Sequence, residues 1–194
     1  MPRPPIPSGA RRSRIPPPPR GLPKHLRPWW LVLALVIPAV TAGVQTCQLK
    51  RLDKAGRPQW LVRTVHDGDT VTCTDAQGEA HRIRLVGIDA PEFHQSYGPE
   101  STAALQEKLG RRMVGIDGGT LDQYGRVLAT LWIDQRNINR EMVAEGHAWV
   151  FGRFAPDADL VQAESEARKA HRGLWSDPHA VNPAQWRDSR PAQP

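Results

Sequence analysis

The chain has 194 residues and is short of several things, each of which narrows what it can be. With two cysteines, Cys47 and Cys73, it has at most one bridge available within itself. Its seven histidines include no H-x-x-x-H pair and no Cys/His ligand spacing. His66, His81 and His94 therefore read as surface histidines, not as zinc ligands or a histidine base. The apolar run Trp29 to Val44 has sixteen residues, short of the roughly 20 that a spanning helix needs. Residues 1–28 contain no acid at all.

Those first 28 residues hold seven of the 26 Lys/Arg and ten of the 19 prolines, with Pro16 to Pro19 in a row. Such a composition cannot pack a core and favours an extended, solvated arm. The other 19 basic residues nearly balance the 20 acids, so the net charge of +6 belongs to the arm. Attraction for phosphate in the body must then come from the placement of individual arginines. The apolar run 29–44, preceded by Lys24 and Arg27, suits a signal peptide cut after Ala42 in V-T-A. The other reading is an uncleaved anchor with the basic arm in the cytoplasm. Either way the body is exported, to the periplasm or medium or tethered outside the cytoplasm. Arg11-Arg12 lies too far from the run for a twin-arginine signal. Gln45 and Thr46 argue against lipidation of Cys47. In an oxidising compartment Cys47 and Cys73 either pair, or Cys73 is a buried free thiol with Cys47 facing solvent.

From Pro58 the patterning is globular. Strands are expected at Gln59–Val65, Thr70–Thr74 and Ala80–Ile88, with His66-Asp67-Gly68-Asp69 as a tight turn in which Gly68 takes a positive φ. In the third strand Ile83 and Leu85 face one way, and Arg82, Arg84 and Val86 the other. Strict alternation puts Arg84 and Asp89 on opposite faces, so a shared site needs a bend, which Gly87 and Pro91 permit. A helix follows from Gly98 to Leu109. Strands are expected at Arg111–Ile116 and Val127–Ile133, with residues 117–126 as a loop between them. Helices at Asn137–Glu145 and Pro156–His171 complete the body, the second presenting Leu160, Ala163, Ala167 and Ala170 on one side. Five short strands with a helix interposed predict an α+β fold, a five-stranded OB-type barrel with three helices. The domain spans 58–177, and residues 178–194 are expected to form a flexible tail in which Trp186 docks.

Three stretches carry the chemistry. D-G-D-T places Asp67 and Asp69 about a glycine, R-L-V-G-I-D-A-P-E runs from Arg84 to Glu92, and D-Q-Y-G-R runs from Asp122 to Arg126. A hard cation such as Ca²⁺ takes about six to eight oxygens, and the aspartates of these stretches are oxygen donors of that kind. Arginine grips two phosphate oxygens at once, and a glutamate beside the metal can orient or deprotonate water. Taken singly, Asp67 and Asp69 read as turn residues, Asp89 to Glu92 as a helix-entry loop, and Arg84 and Arg126 as surface residues or ion pairs.

In order, D-G-D-T, R-L-V-G-I-D-A-P-E, Y-G-P-E, D-Q-Y-G-R and R-G-L-W resemble the staphylococcal nuclease (thermonuclease-like) family from Trp60 to Asp177. Each motif alone is weak, but five in sequence are specific. The resemblance implies an OB-fold barrel with three helices and a calcium-dependent, sugar-nonspecific phosphodiesterase that cuts DNA and RNA, here as a monomer. Asp69 and Asp89 match its calcium-ligating carboxylates, supported by Asp67, and the main-chain carbonyl of Ala90 matches a third ligand. The family often has threonine where Ala90 stands, yet the implied contact is main-chain. Glu92 matches the glutamate beside the attacking water, Arg84 and Arg126 match the phosphate-binding arginines, and Tyr124 matches an aromatic close to the phosphate. Trp149 to Phe154 departs from the pattern, so no nucleoside contact is carried over there. Two other readings stand beside the nuclease. One is an OB module that binds nucleic acid without cutting it, which would be expected to lack Glu92 or an arginine. The other is an envelope-tethered interaction domain whose arm does the work.

Overall fold

The computed structural model describes residues 51–152 and 157–189. The arm 1–28, the apolar run 29–44 and Cys47 lie outside the described residues. Strands β1 (Gln59–Val65) and β2 (Thr70–Thr74) form an antiparallel hairpin, and β3 (Ala80–Leu85) adds to β2. These are the alternating stretches, and the residues of the apolar face, Val62, Val71, Ile83 and Leu85, are all buried. The third strand stops three residues short of expectation. Val86-Gly87 turns the chain, with Gly87 at φ 75°, and the two-residue β4 (Ile88–Asp89) resumes in a new direction against β8 (Trp149–Val150).

Helix α1 (Gly98–Leu109) follows, with Pro99 in its first turn, and buries Leu105 and Leu109. Strand β5 (Met113–Leu121) runs five residues past the expected end. Gly118 and Gly119, which read as loop, lie instead in the ladder with β6 (Val127–Ile133), at a bulge. A Cβ on Gly118 would stand 2.4 Å from the Leu128 carbonyl oxygen. Glycine here reflects a close strand approach, and only 122–126 remains as the turn. The barrel closes where β3 pairs in parallel with β6, Ile83 opposite Val127 and Arg84 opposite Leu128. Five strands, β1, β2, β3, β5 and β6, thus form the wall, and the short β7 (Arg136–Asn137) extends β6 at its edge.

Helix α2 (Ile138–Ala144) is capped by Asn137, whose side chain accepts the Arg140 N–H. Ile138, Met142 and Val143 close the barrel end. Burying such side chains contributes about 1.5–3 kcal/mol each. Helix α3 (Ala158–Lys169), capped by Asp157, buries Leu160, Ala163 and Ala167, while Ala170 is exposed beyond its end. A 3-10 turn at Gly173–Ser176 folds Leu174 and Trp175 back under Ala167. Arg168 lies 3.6 Å from the centre of the Trp175 ring, a cation–π contact.

Two expectations need correction. The domain begins before Pro58, because Leu52 bridges to Pro58 and Arg57 reaches from an ion pair with Asp53 to the carbonyl of Asp134. The tail 178–194 is not a flexible extension over its described part. Asn182 caps a fourth helix, α4 (Pro183–Asp188), with Pro183 buried in its first turn. Cys73 is a fully buried thiol, free among the described residues, and burial pushes it up to about 12; the expected pairing with Cys47 lies outside the described residues. Among the described residues, no helix is long and apolar enough to cross a membrane.

Candidate active site

The β1–β2 turn is closed by the His66 N–H donating to the Thr70 carbonyl, and Asp67 caps it by accepting the Asp69 N–H at 3.0 Å. Asp69 is thereby turned inward and is 5% exposed. Gly68 is not at positive φ. It is glycine because a Cβ would fall 1.9 Å from Ser101 Oγ and 2.7 Å from the Ala90 side chain. That close approach seats the turn against α1 and against the chain that carries Asp89.

Arg84 fastens the bend. Its Nη1 donates to the carbonyls of Leu85 and Ile88, both at 2.9 Å, and its Nη2 lies 3.0 Å from Asp69 and 2.9 Å from Asp89. The turn at Gly87 thus brings Arg84 and Asp89 to one face, as required. Asp69 Oδ2 also accepts the Ala90 N–H at 2.7 Å, and Oδ1 the Thr70 hydroxyl. Burial pushes the Asp69 carboxyl upward against the pull of Arg84, and the charges of Asp67 and Asp89 add to the rise. Asp69 and Asp89 are both buried. Glu92 lies nearer solvent, 35% exposed at its side chain, with its N–H donating to Gln95 Oε1.

The second arginine arrives from the other wall. Arg126 immediately precedes β6, and because β6 runs parallel to β3 its side chain shares the rim with Arg84. Asp122 aims it: one carboxylate oxygen accepts the Tyr124 and Arg126 N–H groups, and the other takes the Arg126 Nε at 2.7 Å. Tyr124 is 74% exposed, and the Arg126 guanidinium lies 5.4 Å from its ring centre. Asp67, Asp69, Arg84, Asp89, Ala90, Glu92, Tyr124 and Arg126 all line one pocket of about 830 Å³. No histidine lines it. His66 bonds Thr72 and His81 bonds Asp75. The Asp75, Glu79 and His81 side chains do converge, but around the β2–β3 turn, where Asp75 serves as the turn's cap.

Two pocket residues were not singled out from the sequence. Asp122 had a signal, since an aspartate opening a glycine turn commonly accepts main-chain N–H groups two residues on. Arg187 had none. It projects from α4, donating through Nη2 to Asp89 Oδ2 at 2.8 Å and through Nη1 to Glu92 Oε1 at 2.7 Å.

The donor set fits a hard divalent cation. All the anionic groups are oxygens, and the buried Asp69 and Asp89 already draw two guanidinium groups to themselves. Asp69, Asp89 and the main-chain oxygen of Ala90 are the groups that would hold such an ion. Carboxylates for a cation beside arginines for a phosphate, on the rim of a small closed barrel, define a phosphodiester-cleaving hydrolase.

Residues 82–177 match the family described as Staphylococcal nuclease homologue. The chain belongs to the staphylococcal nuclease family and is a thermonuclease-like endonuclease. It is 42% identical over 139 residues to Protein ParB of Escherichia coli, covering 66% of this chain and 77% of that one. Over 157 residues it is 31% identical to an uncharacterized endonuclease of Haemophilus influenzae, covering 81% of each. A micrococcal nuclease of Shigella flexneri is 36% identical over 146 residues, covering 67% of this chain and 83% of its own.

Proposed function

We propose that this chain is an exported, monomeric Ca²⁺-dependent nuclease that hydrolyses phosphodiester bonds of both DNA and RNA, through Glu92 with Arg84 and Arg126. The observation that carries this reading is the convergence of Asp69, Asp89, Glu92 and both arginines on one pocket, from elements distant in sequence. The non-catalytic alternative would forgo Glu92 or an arginine, and none is missing.

When bound, calcium would supply Lewis-acid neutralisation of the phosphate's charge. The protein's own groups do the rest. Asp122 holds the Arg126 guanidinium at the rim, where it can grip phosphate oxygens as negative charge builds. Arg84 occupies the inner wall and lends its remaining donor capacity to the same phosphate. Glu92 is exposed enough to meet water and takes its proton or fixes its lone pair along the line of attack. Neither arginine nor glutamate needs the sugar's 2′ position in this scheme, which supports action on DNA and RNA alike. By family resemblance the products end in 3′-phosphates.

The test is digestion of plasmid DNA, single-stranded DNA and RNA by the purified protein with Ca²⁺ and with excess EGTA. Cleavage of all three with Ca²⁺, none with EGTA, is expected; activity that persists in EGTA would refute the calcium requirement. Export is proposed from the apolar run 29–44, and sequencing the N-terminus of cell-envelope and culture fractions checks it. Gly43 as first residue, or a full-length chain resistant to carbonate extraction, fits export; a full-length chain in the cytosol does not.

A further inference from the structure

The Arg187 guanidinium sits on the two acids that the proposed chemistry needs free. Its Nη2 is 2.8 Å from Asp89 Oδ2, its Nη1 3.3 Å from Asp89 Oδ1 and 2.7 Å from Glu92 Oε1. Asp89 is 2% exposed, so this is a contact with a buried carboxylate, whereas Arg187 itself is 41% exposed at its side chain. One end of the pair is thus fixed in the barrel and the other can swing into solvent.

The segment that carries Arg187 is seated, and seated lightly. Gln95 donates from Nε2 to the Val181 carbonyl at 2.6 Å, and Gln95 in turn accepts the N–H of Glu92. Trp186, the neighbour of Arg187, lines a cavity of about 160 Å³ with Pro91, Tyr97, Trp149 and Leu174. Helix α4 has only six residues and buries only Pro183 among them. Short surface elements with few buried apolar contacts open most readily.

A cation that binds Asp89 must take oxygens that Arg187 now holds, and a glutamate that activates water must give up the same guanidinium. We propose that Arg187 is an internal counter-cation for Asp89 and Glu92, which calcium must displace, so that α4 acts as a latch setting the calcium concentration at which the site becomes competent. This rests on the calcium-site reading above. Reciprocity follows from linkage: whatever factor α4 docking takes from calcium affinity, bound calcium takes from α4 docking.

Calorimetric titration of the full chain with Ca²⁺ alone, without nucleic acid, tests it. Arg187→Ala is expected to bind calcium about 5- to 150-fold more tightly, the usual span for coupled sites. Trp186→Ala leaves every site charge in place and loosens α4, and it should tighten calcium in the same direction. The calcium concentration for half-maximal cleavage should fall in both. Unchanged calcium affinity in Arg187→Ala overturns the latch, as does a gain in Arg187→Ala with none in Trp186→Ala, which would make the effect one of charge and not of docking. Lower turnover at saturating calcium with unchanged calcium affinity would make Arg187 a substrate ligand instead. Asp89→Ala separates the two readings: if it binds calcium as wild type does, the calcium site itself is misassigned, whatever Arg187 does.

Discussion

Glu92→Gln and Arg126→Ala are each expected to lower the cleavage rate by about 10²- to 10⁴-fold while folding as wild type does. The reason lies in where the two side chains stand. Glu92 is 35% exposed and buries no apolar surface of consequence, and glutamine keeps its shape and an oxygen that can accept from Arg187. What glutamine cannot do is take a proton. Arg126 is 28% exposed and paired with Asp122 across a solvated turn, a kind of ion pair that contributes at most about 1 kcal/mol. Its loss leaves β6 and the barrel closure intact. Circular dichroism and a single-turnover assay on a short duplex together decide the matter. Wild-type turnover in either variant would remove that residue from the mechanism.

Arg84→Met should behave in the opposite way, with the fold itself affected and calcium as the remedy. Arg84 is 14% exposed at its side chain and compensates Asp69 and Asp89, at 7% and 3%. Removing one partner of a buried charge group commonly costs about 3–5 kcal/mol, because the remaining charge is left without compensation. Arg187 still serves Asp89, so Asp69 suffers most, and the bend at Gly87 loses the two hydrogen bonds to Leu85 and Ile88. A divalent ion held by the same two aspartates would restore much of the compensation. Urea denaturation with EGTA should show the full loss, and with excess Ca²⁺ a clearly smaller one. An equal loss in both would mean that these aspartates do not hold the ion.

The sequence made some features plain for a physical reason and hid others for a different one. Strands β1, β2 and β6 were legible because alternation and turn residues both marked their ends. The extension of β5 was hidden because Gly118 and Gly119 carry no side chain to show a period, although their register with β6 is regular on either side of the bulge. Gly68 was correctly seen as necessary but for the wrong cause: space beside Ser101, not φ, excludes a side chain there. The eight pocket residues expected from the motifs do meet, since short-range spacing and the parallel β3–β6 pairing fix most of their positions. Arg187 was out of reach. Asn182-Pro183 signals a helix start, but nothing local to the chain says that the helix returns 98 positions to Asp89.

The parallel contact between β3 and β6 also governs when the protein becomes dangerous. It joins Ile83 to Val127, so loop closure over dozens of residues must be completed before Arg84 and Arg126 share a rim. Pairings so distant in sequence form late and slowly compared with hairpins. A chain not yet folded carries its aspartates, glutamate and arginines on segments that have not met, and has no assembled site with which to cut nucleic acid. On the proposed site, hydrolytic power requires this seam to be closed, so the topology itself ties activity to a completed barrel.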